Sequence, residues 1–437
     1  MTSLSCHLAL LASATFALGW SPPQEVEDAA AVSHWAVLVA GSSGYGNYRH
    51  QSDVCHAYQI MLQNGMNPDQ IIVMAVDDIA NYASNPFPGK VFNKPSDIGD
   101  AGVDVYEGCA IDYSGALVTP ETFKKVLLGD ADGLNGGKVL QSTKNDRVFV
   151  NFVDHGGVNL IGFPKSTMHA MELVEILQQM STAGMFKELV FYLEACESGS
   201  MFRTLPSDIR VYASSAANAH ESSWGTYCMP EDKVNGKHIG SCLGDLYSVS
   251  WMEDSDHGNP GETIEEQMDT VIDLTTKSHV TLFGDQTIAD EPITSFEGAA
   301  DGRASNRLPP PRGTDTQREA AIRSEDAALT SAFYRFITND DDLAADELID
   351  GVQQRRKAKR RFDAITRTLT GDGLDSVPPR TAGVDDACHY AAHQAYVAHC
   401  GDWHEMALSF SSTLADLCEL EGGRAERLVD AIEAACV

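Results

Sequence analysis

Two stretches of this chain share one design, and together they restrict what it can fold into. Lys187 to Ser200 reads KELVFYLEACESGS, and Arg147 to Gly157 reads RVFVNFVDHGG. Each begins as a short apolar run, β-branched and aromatic, of the kind that suits a strand buried on both faces of a parallel sheet. Each then turns abruptly polar: Glu194, Ala195 and Cys196 in one, Asp154, His155, Gly156 and Gly157 in the other. Reacting groups collect at the carboxyl ends of parallel strands. Neighbouring strands of this kind would bring the Cys196 thiol and the His155 imidazole to one sheet edge, as a nucleophile and a proton-transfer base on separate loops. A buried structural cysteine and a turn histidine are the alternative for an isolated pair, but the repeated strand-then-site pattern argues against it.

Four stretches carry a resemblance: Asn47 to His50 (NYRH), Asp154 to Gly157 (DHGG), EACESGS, and Trp251 to Asp256 (WMEDSD). In order and spacing they resemble the legumain family, the asparaginyl endopeptidases or vacuolar processing enzymes. The resemblance runs from about His34 to Gly298 and more weakly to the C-terminus. It implies a caspase-like α/β fold, a mostly parallel sheet flanked by helices, followed by an all-helical prodomain. It also implies a cysteine endopeptidase that cleaves after Asn, and after Asp at acid pH, through a thioester on Cys196.

The same resemblance distributes roles. His155 is the base, Asn47 orients it, and the backbone N–H groups of Gly156 and Cys196 receive the oxyanion. Arg49 and His50 are implied as the donor side of the specificity pocket, Glu194 and Asp245 as its acceptor side, and Ser222 and Ser223 as its walls. An asparagine side chain offers one acceptor and two donors, so such a pocket needs both kinds of partner. Asp154 is where the family can form a succinimide. Asn339, with Asn306 in reserve, is the implied self-cleavage position, and Cys388 with Cys418 and Cys400 with Cys436 are the implied prodomain disulfides; spacing alone leaves three connectivities open.

The organisation expected is a signal peptide over 1–17, a short leader over 18–33, a catalytic domain over 34–298, a linker and activation peptide over 299–339, and a disulfide-bonded autoinhibitory prodomain over 340–437. Leu8 to Leu18 is apolar but too short to span a bilayer. Helices are expected over Val54 to Asn64, Pro120 to Leu128 with Thr119 as N-cap, and Met168 to Met180. Strands are expected at Trp35 to Ala40, Ile71 to Val76, Ile209 to Ser214 and Tyr247 to Trp251, with NYRH in a loop after the first. Cys228 and Cys242 flank a polar loop and are expected to bridge; Cys55 and Cys109 are read as buried thiols.

The formal charge of −32 over 437 residues excludes a nucleic-acid partner, which needs a basic surface, and suits an acidic compartment. Secretion to a vacuole or lysosome, or out of the cell, is the expected destination. Neither a cofactor nor a metal is expected, and no membrane span. The partners expected are protein or peptide substrates with exposed Asn, the chain's own prodomain as inhibitor, and cystatin-type inhibitors. The basic run Arg355 to Arg361, against so acidic a chain, is read as an electrostatic latch holding that prodomain. Rival readings are a peptide ligase or transpeptidase on the same thioester, a transamidase subunit, and a catalytically silent acidic binding protein.

Overall fold

In this computed structural model, residues 32–257, 261–298, 314–339, 341–381, 383–401 and 403–436 are described. The expected signal segment 1–17, most of the leader, Cys6 and Asn306 lie outside them. A six-stranded sheet runs in the order Thr281–Gly284, Val211–Ser215, Glu188–Glu194, Arg147–Val153, His34–Ala40, Ile71–Met74. All neighbours pair in parallel except Thr281–Gly284, which closes one edge antiparallel to Val211–Ser215.

Side chains alternate across the strands, so one sequence supplies two cores. Leu38, Phe149, Val190 and Tyr192 face the helices Tyr48–Gln63 and Leu246–His257. Val37, Val150, Phe191 and Leu193 face the helices Pro120–Leu127 and Ala170–Thr182. Thr119 caps the first of that second pair by accepting the Thr122 N–H, a contact worth about 1 kcal/mol.

Several local expectations are corrected. The helix expected from Val54 begins at Tyr48, with Asn47 as its N-cap, so Arg49 and His50 lie in its first turn rather than in a loop. Their polar side chains are buried toward the site, which hides the apolar periodicity that would have marked the helix start. Tyr247 to Trp251 is not a strand. It lies inside the helix Leu246–His257, where Tyr247, Val249 and Trp251 mimic an alternating pattern because almost the whole surface of that helix is buried. Met168 belongs to the strand Ser166–His169, and the helix after it starts at Ala170. Cys55 and Cys109 form a disulfide instead of standing as free thiols. Cys228 and Cys242 are bonded, and the loop between them folds a small hairpin, Lys233–Val234 with Lys237–His238.

The stretch expected as linker has structure of its own: a two-residue strand, Ile322–Arg323, then the helix Ser324–Asn339. After it come the helices Asp342–Thr370, Asp386–Cys400, Glu405–Leu408, Ser411–Leu420 and Ala425–Cys436. Their core holds Phe362, Tyr396, Trp403, Leu417 and Ile432, and the bonds Cys388–Cys418 and Cys400–Cys436 staple it. Leu160, from the strand Leu160–Phe163, joins this core, so these helices pack directly on the sheet domain.

The Cys55–Cys109 bond closes a loop with a sequence separation of 54. Replacing both cysteines by serine is expected to cost roughly 2–4 kcal/mol of stability, mainly by freeing the unfolded chain. A lowered Tm in the double variant checks this, together with a Cys55–Cys109 linked peptide in an unreduced digest of the parent; an alkylated Cys55 in that digest would contradict it.

Candidate active site

Strand register brings the two loops together. Val153 pairs with Glu194, and the Asp154 N–H donates to the Glu194 carbonyl at 3.0 Å. His155 and Cys196 therefore each lie two residues beyond the same rung. The backbones approach so closely that a Cβ on Gly156 would stand 2.3 Å from the Cys196 carbonyl oxygen, so only glycine fits there.

Asn47, at the start of the first helix, reaches across to His155, whose Nε2 lies 2.8 Å from Asn47 Oδ1. Donation from Nε2 to this amide oxygen leaves Nδ1 as the basic nitrogen. Asn47 Nδ2 in turn donates to the Ser43 carbonyl and, at 2.6 Å, to Glu405 Oε2. Glu405 also stands 3.3 Å from His155 Nε2. Burial works against its charge, yet His155 and Asn47 outweigh that and hold its carboxyl down at about 2. Cys196 is a free, buried thiol, with Sγ 3.3 Å from Ser222 Oγ and 3.8 Å from Ser223 Oγ. Burial, and then the negative charge of Glu197, push it up to about 12, so in this covered form it is a neutral thiol.

Arg49 organises the adjoining pocket. Its Nε donates to Asp245 Oδ1 at 2.8 Å, its Nη1 to Asn47 Oδ1 at 3.3 Å, and its Nη2 to Ser324 Oγ at 2.7 Å. Glu194 Oε2 accepts from the Ser248 N–H and hydroxyl, and Ser223 bonds to Glu194 as well as approaching the thiol. Four buried polar atoms here have no hydrogen-bond partner among the described residues: Glu194 Oε1, Asp245 Oδ2, His50 Nε2 and Asp154 Oδ1. His50 Nε2 lies 3.6 Å from Asp245 Oδ2, while its Nδ1 meets the Ser42 hydroxyl at 2.6 Å. Asp154, 3.5 Å from His50, is raised to about 7 by burial, against the pull of His155. Among the described residues, His50, Asp154 and His155 are the one group with metal-like spacing; His50 Nδ1 and His155 Nε2 are already engaged by Ser42 and Asn47.

Two segments of the chain cover this site, one from the stretch expected as linker and one from the stretch expected as prodomain. Ile322–Arg323 lies antiparallel to the strand Trp224–Thr226, and the Ser324 N–H donates to the Ser223 carbonyl at 2.9 Å, which seats the Ser324 hydroxyl on Arg49. From the other side Glu405 arrives on the short helix Glu405–Leu408. A cavity of about 320 Å³ remains between them, lined by Asn47, Tyr82, His155, Glu347 and Glu405 among others. Asn339 ends the helix that follows Ser324. In the basic run, Arg355 pairs with Asp326 and Lys359 with Asp375, so those described partners lie outside the sheet domain.

The chain is similar to known proteins over most of its length. The Peptidase C13 family profile matches residues 34–299. Legumain of Mus musculus is 41% identical over 403 residues, 88% of each chain. The vacuolar-processing enzyme beta-isozyme of Arabidopsis thaliana is 37% identical over 438 residues, 95% of this chain and 88% of that one. Among solved structures, caspase-1 from Spodoptera frugiperda aligns with a TM-score of 0.36 at 8% identity, over 62% of this chain and 92% of its own. With the family matched across the whole sheet domain and these relatives across nearly the full length, the chain is a cysteine endopeptidase and belongs to the peptidase C13 family.

Proposed function

We propose that the enzyme cleaves proteins and peptides after Asn, and is made as a zymogen that its own C-terminal part keeps latent in transit to an acidic vacuole or lysosome, or out of the cell. One observation carries the specificity: the unpartnered acceptors Glu194 Oε1 and Asp245 Oδ2 share a buried pocket with the Arg49 donors, and Ser223 links that pocket to Cys196. An Asn side chain would give its two N–H bonds to those acceptors and take one from Arg49 at the place of the Ser324 hydroxyl. A charged Asp would meet the Asp245 carboxylate, so Asp is accepted as acid protonates it.

In the reaction His155 Nδ1 takes the thiol proton, and Sγ attacks the scissile carbonyl. The oxyanion is met by the N–H groups of Gly156 and Cys196. His155 returns the proton to the leaving amine as the C–N bond breaks, leaving a thioester on Cys196. Water, deprotonated by His155, attacks the thioester carbonyl, and the C–S bond breaks to give the carboxylic acid and the thiol. Asn47 keeps the imidazole in the tautomer this needs.

Latency follows from Ser324 on Arg49 and Glu405 on His155. The expectation that the Arg355 to Arg361 run forms the latch gives way to a different device. His169 meets His389 at 3.1 Å, and Thr167 meets His393 at 2.7 Å, all of them buried between the sheet domain and the C-terminal helices. Burial, with the like charge of neighbouring histidines at the first two, lowers His169 to about 2 and His389 to about 3; burial lowers His393 to about 4. Arg203 and Arg380 add further positive charge nearby. Histidines held neutral in the docked form stabilise it fully above their free pKa of about 6.5, and that stabilisation is lost as pH falls below it. Glu405, depressed to about 2, holds on longer; its contribution fades only as pH falls from about 4.5 toward 2. Docking therefore loosens first at the histidines, and cleavage at Asn339 then separates the covering helix from the rest.

Cys196→Ala is expected to reduce turnover of an Asn-P1 peptide below about 0.1% of the parent, and His155→Ala nearly as far, with unchanged folding by circular dichroism. A P1 library should favour Asn near neutrality with the gap to Asp narrowing in acid; equal cleavage after Leu or Lys would remove the pocket assignment.

Replacing His169 and His393 together by Gln should move the pH of half-maximal self-activation down by about one unit. Activation monitored on gels over a pH series reads this directly, and an unshifted midpoint would rule out the histidine trigger.

A further inference from the structure

Asp53 follows Arg49 by one helical turn, so both point to the same side of the helix Tyr48–Gln63. It is completely buried, and among the described residues no cation pairs with it. Its Oδ1 accepts from Asn93 Nδ2 at 2.6 Å and its Oδ2 from the Asp245 backbone N–H at 3.1 Å; the side chain also lies in hydrogen-bonding reach of the Asp245 carboxylate. Gly244 leaves it room, since a Cβ there would stand 3.0 Å from Asp53 Oδ1. Three buried carboxyls, Asp53, Asp245 and Glu194, thus lie near one another, and the Arg49 Nε goes to Asp245.

Uncompensated buried charge is too costly for all three to ionise. His50 gives no help: burial, and then the charge of Arg49, push it far below its usual range, so it is neutral. His56 touches Asn93 on the side away from Asp53 and pairs with Asp256. Asp245, holding Arg49, is the member that keeps its charge.

We propose that Asp53 is a positioning residue for the specificity pocket: a carboxylic acid that keeps its proton and lends it to Asp245, holding Asp245 as a single oriented anion between itself and Arg49. This rests on the Asn-specific reading above. Two bonds to Asp53, one through the Asp245 N–H and one to its carboxylate, fix where Asp245 Oδ2 stands for an incoming Asn amide. Burial, then the nearby Asp245 charge, drive the Asp53 carboxyl well above the usual carboxylate range, consistent with a retained proton. The like charge of Glu194 acts in the same direction.

The test compares Asp53→Ala with Asp53→Asn in the acid-activated enzyme, using an Asn-P1 peptide from about pH 4 to about pH 7.5. Asp53→Ala should raise KM about 30-fold with kcat little changed, and move the acid limb of kcat/KM up by about one pH unit, because Asp245 loses the donor that favours its charged form. Asp53→Asn, whose amide N–H can still donate to the Asp245 carboxylate but cannot accept the Asp245 backbone N–H, should recover part of both effects. Equal losses in the two variants, or an unshifted limb in Asp53→Ala, would overturn the proposal. A readout free of activity is the infrared C=O stretch of protonated carboxyls near pH 7, in which Asp53→Asn should lose one band relative to the parent; no lost band would also overturn it. A parent that fails to cleave after Asn would sink the pocket reading instead, while the infrared comparison still decides whether Asp53 carries a proton.

Discussion

The rung joining Val153 to Glu194 is the constraint from which the rest of the site follows. Parallel pairing fixes two loops at equal height, and the missing side chain at Gly156 lets their backbones come close together, with His155 on one and Cys196 on the other. The register is set by two apolar strands buried on both faces, so it costs the chain nothing that the core does not already demand. A one-residue slip would turn Phe149, Val150, Phe191 and Tyr192 to the wrong faces and part the reacting groups at the same time.

Charge burial is the second theme. Arg49, His50, Asp53, Glu194 and Asp245 gather in one buried region, where burial drives each carboxyl up and Arg49 pulls Asp245 back down. The covered thiol belongs to the same regime. Its neutrality comes from burial and from Glu197, so uncovering the site changes its chemistry as well as its accessibility.

Much of this was legible in the sequence, where local pattern and tertiary role coincide. The paired strand-then-site runs, the Thr119 cap and the strands Ile71–Met74 and Val211–Ser215 all follow from period and turn chemistry. The misses have separate physical causes. Arg49, His50 and Asp53 sit on an inward helix face, so the helix start looked like a loop. The helix around Trp251 is buried on nearly every side and lost its period. Ser324 and Glu405 touch the site only through long-range packing, 275 and 358 residues from the groups they contact in sequence, and no local rule can foresee that. The Cys55–Cys109 bond was missed because two partly apolar neighbourhoods say nothing about the distance between them.

The strand Trp224–Thr226 has Gly244–Asp245 on one side and Ile322–Arg323 on the other. Without that second neighbour, a row of main-chain donors and acceptors would stand open beside the pocket. An incoming polypeptide can complete that row only as an extended segment, so conformation is read before the side chain is. A residue locked in a helix is invisible to such an edge whatever its side chain. Asn339, the last residue of a helix, stands at the boundary between those two conditions, so under the self-cleavage proposed above the step would wait on how readily one terminal turn unwinds.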